Sequence, residues 1–266
     1  MSKTTQQHLV SLTERLRHEV ELDAIDGMLY VEGQPIQPSA VRCMRYLVEA
    51  GVVEASKAKE LDRSLYRLYQ NYPYPPKNSA APDKDWRINV TVLLPGTVCG
   101  SERYVLTVGH QNAENQLEIH QVVSGKALFY QQCTEETGQV QGRYTIAGPG
   151  DVVSIVPGAW HLTVNIGDEP MVMVDVVRFR GEKPPINYSW GYQGGAAWFF
   201  IKQAGCGIVP NPAYEGQSVP PIQEIAPAQV PAHLKSKWLV SEYVSSSPLL
   251  NHWAWDEYWE LLRACR

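Results

Sequence analysis

A mainly β protein is predicted for this chain, with an antiparallel barrel of short strands in its middle third, a helical region before it and an irregular region ending in a helix after it. Three observations predict this. Between Trp86 and Gly181, short runs rich in β-branched and aromatic residues alternate at near-regular spacing with Gly, Pro and Asn turns. Before Trp86, apolar residues recur at helical spacing. After Gly181 the regularity gives way to Pro- and Gly-rich sequence, and then to NHWAWDEYWELLRACR.

The helical region is expected to hold three helices. Leu9, Leu12, Leu16 and Val20 fall on one helical face with charges between them. Pro38, Ser39 and Ala40 open a second helix that carries Val41, Met44, Leu47 and Val48 and stops at Gly51. A third runs from Ser56, an N-cap residue type, to Tyr69, with Leu61, Leu65 and Leu68 aligned. NYPYPPKNSAAPDKD, residues 71–85, reads as an extended arm. The expected strands are INVTVLL, RYVLTV, LEIHQVV, ALFYQQ, GRYTIA, DVVSIV, HLTVNI and MVMVDVVRF. The expected organisation is therefore a helical extension and arm over 1–85, a β-barrel over 86–182, and an extension over 183–266. The last of these ends in a helix docked through Trp253, Tyr258, Leu261 and Leu262.

Composition narrows the function classes. The 266 residues are 44% hydrophobic and 19% charged, enough for a substantial core, with a net charge of −5. No basic stripe points to nucleic acid. No apolar run reaches the roughly 18 residues of a membrane span. The opening MSKTTQQHLV lacks the layout of a secretory signal, so a cytoplasmic protein is expected. The five cysteines, Cys43, Cys99, Cys133, Cys206 and Cys265, are scattered and form no CxxC pair, which reads as free thiols. The Trp residues from 190 to 259 read as core or interface aromatics.

Three of the seven histidines fall in the β-rich block. The first stretch is Thr107-Val108-Gly109-His110-Gln111-Asn112, followed by Glu118-Ile119-His120 and Gly125. The second runs from Pro149-Gly150 through Pro157-Gly158-Ala159-Trp160-His161 to Asn165 and Gly167. Side chains alternate along a strand, so His110 and Asn112 share a face, as do Glu118 and His120. If the chain folds 118 back beside 110, these groups converge, and His161 on a later strand completes the set. Imidazoles and a carboxylate with positions left open suit Fe(II), Mn(II), Ni(II) or Zn(II). The plain structural alternative is a set of core histidines satisfied by the backbone, with Glu118 paired to Arg178. Arg178 and Arg180 read either as contacts for an anionic substrate or as residues at solvent-exposed strand ends.

These two stretches resemble the two motifs of the cupin superfamily, and within it the cupin-type, archaeal-style glucose-6-phosphate isomerases. Thr107, Gly109, His110, Glu118, Gly125, Gly150, His161 and Asn165 match, and Thr91-Val92-Leu93-Leu94-Pro95-Gly96 is similar to an upstream family segment. The likeness covers about residues 88–180. It implies a jelly-roll-like barrel, a homodimer, and a divalent metal, Fe(II) first, held at His110, Asn112, Glu118 and His161. It also implies Glu118 as proton carrier; His120, by sharing the face of Glu118, reads as a replacement for the missing imidazole, a general base near neutral pH, or a plain cavity-lining histidine. Thr91, Thr107 and Gly109 match positions for a substrate phosphate, and Tyr188 is nearest to a later substrate-binding segment. Asn112 stands where the family has a second histidine, and His120 where it has a tyrosine. The expected activity is an aldose–ketose isomerase acting on a small polar substrate. The alternatives are a cupin oxygenase, lyase or cyclase, or a metal-free binding protein.

Overall fold

A computed structural model describes residues 8–16, 19–72, 86–98, 101–134, 140–179, 182, 185–189, 195–203, 205–216 and 219–227. The chain opens with β1 (Leu9–Ser11), α1 (Thr13–Leu16), β2 (Val20–Asp23), β3 (Leu29–Val31) and β4 (Gln34–Pro35). Then come β5 (Ala40–Cys43), α2 (Met44–Glu49), β6 (Ser64–Gln70), β7 (Trp86–Leu93), β8 (His110–Gln111) and β9 (Gln116–Ser124). They are followed by β10 (Ala127–Thr134), β11 (Val140–Ala147), β12 (Val152–Ile155), β13 (Trp160–Asn165) and β14 (Met171–Phe179). A hairpin of β15 (Trp198–Gln203) and β16 (Gly205–Pro210) precedes β17 (Ile222–Glu224).

Two sheets form the barrel. One has the order β12-β9-β14-β7-β6-β5 and the other β17-β11-β10-β13-β8. Their facing sides enclose an apolar core that includes Leu93, Val122, Phe129, Tyr130, Ile155, Leu162 and Met173. The outer side of the first sheet is covered by the small sheet β1-β2-β3-β4. There Leu12, Leu16, Val20, Leu22 and Leu29 pack on Ile88, Val90, Leu117, Ile119 and Val174. The first sheet is thus buried on both faces, which is why Val, Ile and Leu occupy outward as well as inward positions. Gly125 turns β9 into β10 at φ +79, with Met171 Cα 2.8 Å from where a Cβ would sit, so only glycine fits.

The mainly β, cupin-like barrel is as expected, and seven of the eight expected strands are present as β7 and β9 to β14. RYVLTV is not a continuous strand; it makes isolated bridges, Tyr104 with Thr97 and Leu106 with Val164. The helical extension is a correction. The region of Leu9 to Val20 holds one four-residue helix between strands, and 56–69 becomes a short 3-10 turn followed by β6. Only the second helix survives, as the six-residue α2, with Gly51 just beyond it at φ +73. The reason is tertiary. β5 and β6 gain sheet partners by joining β7, with Tyr66 opposite Leu93 and Arg42 opposite Tyr66, and this outweighs local helical spacing. Two strands of the barrel therefore come from before residue 86. The C-terminal helix and residues 73–85 lie outside the described residues.

Candidate metal centre

The site sits where the two sheets face each other, and strand register assembles it. On one sheet His161 of β13 pairs with His110 of β8, and Gln131 of β10 pairs with His161. On the other, Glu118 of β9 lies between Ile155 of β12 and Val177 of β14. Gln131 ties the sheets at this level: its amide donates to Ser154 O (3.0 Å) and its carbonyl oxygen accepts from Val156 N (2.8 Å). Gly109, at φ +75, turns the chain into β8 just before His110.

The side chains converge tightly. One ligand atom each from His110, Glu118 and His161 lie within 4.8 Å of one another. His161 Nε2 is 3.7 Å from Glu118 Oε1, His110 Nε2 is 4.0 Å from Glu118 Oε2, and the His110 and His161 rings meet edge-on at 4.4 Å. His120 Nε2 stands 3.0 Å from Glu118 Oε1, with Phe129 against its ring at 5.3 Å. Glu118, His120 and His161 are all buried. Two imidazoles and a carboxylate with an open side form a donor set suited to a divalent metal.

Electrostatics follow from this crowding. Burial, and then the neighbouring His161, lower the His110 pKa to about 3. Burial alone would raise Glu118, but the neighbouring His161 and His120 imidazoles outweigh it and hold the carboxyl well below its usual range. Burial opposes charge on His120 too, yet the Glu118 carboxylate 3.0 Å away raises it. Behind them Asp175 stands opposite His120 on β14 and accepts from Asn89 Nδ2 at 2.5 Å. Burial and the charge on Glu118 push its carboxyl upward.

His110, Glu118, His120 and His161 are thus brought together. Asn112 is present as well, but its Oδ1 accepts from Gln116 Nε2 (2.8 Å), and Gln116 Nε2 also donates to Glu118 Oε2 (2.8 Å). Tyr188 leans on His110, with ring centroids 5.8 Å apart. The Thr107 hydroxyl accepts from Thr163 N at 3.0 Å. Thr91 is buried on the inward face of β7, opposite Met173. Asn165, matched in the second motif, holds the fold: its amide donates to Leu93 O and Glu169 O, and its oxygen accepts from Gly167 N. The side chains of Arg178 and Arg180 lie outside the described residues.

Several residues escaped the sequence reading. Gln116 was findable, because it shares parity with Glu118 and His120 on β9. Asp175 was visible as the one acid in MVMVDVVRF. Arg42 and Arg87 carried no local signal. Register places Arg42 on the face of Tyr66, and places Arg87 opposite Val177, which is itself opposite Glu118. Arg42 lies 4.0 Å over the Tyr46 ring and Arg87 5.4 Å over Phe179; both act electrostatically on Tyr188. No carboxylate pairs with either arginine among the described residues.

This barrel has relatives. The chain is 28% identical over 142 residues to the glucose-6-phosphate isomerase of Thermococcus onnurineus, covering 52% of this chain and 70% of that protein. It is 32% identical over 93 residues to the glucose-6-phosphate isomerase of Pyrococcus furiosus, covering 35% of this chain and 46% of that protein. The chain thus spans less than half of the Pyrococcus relative. Among solved structures, Bacillus subtilis oxalate decarboxylase at pH 4.6 overlaps with a TM-score of 0.32 at 20% identity, over 43% of this chain and 26% of that one. The model of the family described as glucose-6-phosphate isomerase (GPI) matches residues 45–206, more than half of the 266 residues, and the chain belongs to that family, in its cupin form.

Proposed function

We propose that this protein is a metal-dependent isomerase of a sugar phosphate, interconverting an aldose and a ketose. The observation that carries the reading is the convergence of His110, Glu118 and His161 between the two sheets, at positions that match the family's ligands. These three would hold the metal, Fe(II) first and Mn(II), Ni(II) or Zn(II) next, and Asn112 stands at the family's fourth ligand position. When bound, the metal supplies a Lewis acid that polarises the substrate's carbonyl and adjacent hydroxyl oxygens.

The protein's own groups supply proton transfer. Glu118 and His120, 3.0 Å apart, act as one carrier: the pair takes the proton from the carbon beside the carbonyl and returns it to the old carbonyl carbon. In the same passage the hydroxyl proton moves to the old carbonyl oxygen, so no atom is gained or lost. Thr91, Thr107 and Gly109 match the family's phosphate positions. Arg42 and Arg87, half-buried and in no salt bridge among the described residues, favour an anionic substrate, and Tyr188 leans on His110. Arg87 is two strand spacings from Glu118, about 10 Å, which a six-carbon sugar phosphate spans. The family likeness also supports a homodimer working in the cytoplasm.

The test is turnover of glucose 6-phosphate and other aldose phosphates by metal-loaded protein, followed by exchange of the C2 proton with deuterated water. Glu118→Gln and His120→Ala should each abolish exchange, and a wild-type rate surviving in both would refute the assignment. The two-histidine, one-carboxylate set also suits oxygen chemistry at iron. Substrate-dependent oxygen uptake by the Fe(II)-loaded protein, without isomerisation, would favour that second reading.

A further inference from the structure

The Asn112 amide stands where the family has an imidazole, yet its oxygen is not free. It accepts from Gln116 Nε2 at 2.8 Å. Its Nδ2 is buried and has no partner, and the residue is only 2% exposed. A buried amide donor left unpaired costs about 1–3 kcal/mol, which is a reason to look for the acceptor it awaits. Gln116, also buried, uses one amide nitrogen to hold both Asn112 Oδ1 and Glu118 Oε2. The amide oxygen that would have to face a metal is therefore already committed to Gln116, which also holds Glu118.

We propose that Asn112 is not a metal ligand: Asn112 and Gln116 form an amide pair that orients Glu118, the protein supplies three ligands, and Asn112 Nδ2 donates to a substrate oxygen. Exchanging imidazole for amide thereby opens one more coordination position and adds a donor directed at the substrate. Groups of this kind fix ligand orientation, and their loss weakens metal binding without changing which atoms coordinate.

The inference rests on the metal reading above, and metal readouts separate the two. Co(II) absorption reports the ligand set, and calorimetry with Mn(II) reports affinity. In Asn112→Ala, with Asn112→Ser as a second variant should the alanine protein not fold, the Co(II) bands are expected at their wild-type positions. Gln116→Ala is expected to bind Mn(II) about tenfold or more weaker. Glucitol 6-phosphate, which lacks a carbonyl and cannot turn over, is expected to bind the Co(II)-loaded Asn112→Asp protein about tenfold or more weaker, because an acceptor replaces the donor. Altered Co(II) bands in Asn112→Ser would make Asn112 a ligand and overturn the proposal. Wild-type Mn(II) affinity in Gln116→Ala, or wild-type glucitol 6-phosphate affinity in Asn112→Asp, would overturn it as well. A wild-type protein that binds neither metal would overturn the metal reading and this inference together.

Discussion

The two faces of β9 are both buried and chemically opposite. Leu117, Ile119 and Val123 face outward into the apolar layer under β1 to β4. Gln116, Glu118 and His120 face inward, where Gln116 holds Glu118 by a hydrogen bond while both His120 ring nitrogens are buried without a hydrogen-bond partner among the described residues. Outward side chains gain burial energy of roughly 1.5–3 kcal/mol each with no polar cost. Inward ones lose hydration and recover it only through one another. One strand thus separates the work: its outer face holds the barrel to its covering sheet, and its inner face carries the chemistry.

The comparison can be broken, starting with the largest effect. Leu117→Ala should destabilise the protein by about 2–5 kcal/mol in urea denaturation, while the folded variant keeps its metal affinity. If metal affinity collapsed with it, the faces would not be independent. His161→Ala, on the strand facing Glu118, should weaken metal binding by about a hundredfold or more in calorimetry, because it removes one of three converging ligands. Its apo stability should fall much less than that of Leu117→Ala. Gly125→Ala, at the end of β9, should lower stability by about 1–3 kcal/mol through its positive φ and the Met171 backbone, again with metal affinity retained. Arg87→Gln should weaken glucitol 6-phosphate binding by about tenfold and leave neutral glucitol unaffected, with no change in melting temperature. Lys202→Ala, which removes a surface pair with Asp168 (2.6 Å) far from either face, should change neither stability nor binding measurably.

The inner half of this comparison was largely legible in the sequence. The spacing of His110, Glu118, His120 and His161 depends on strand alternation and short turns, which are local properties. The barrel strands announced themselves for the same reason: each run is short, β-branched and bounded by Gly, Pro or Asn. The outer half was misread. Leu9, Leu12, Leu16 and Val20 carry a helical spacing, but Leu12, Leu16 and Val20 reach the core from a loop, a four-residue helix and a strand. Spacing shows which residues will be buried; it does not show which backbone geometry buries them when the partner surface lies far away in the chain.

What the sequence determined by itself was the run of barrel strands and the identity of the converging imidazoles and carboxylate, because local periodicity and turn chemistry encode both. What only the tertiary structure decided was who stands beside them. Arg42 and Arg87 reach the face of Glu118 through pairing with β6 and β14, Asp175 reaches His120 across a strand, and Asn112 is turned toward Gln116 rather than left open. Those placements depend on register between strands distant in sequence. A shift of one residue would send every such side chain to the opposite face, and it is burial of the whole sheet between two apolar layers that selects the register.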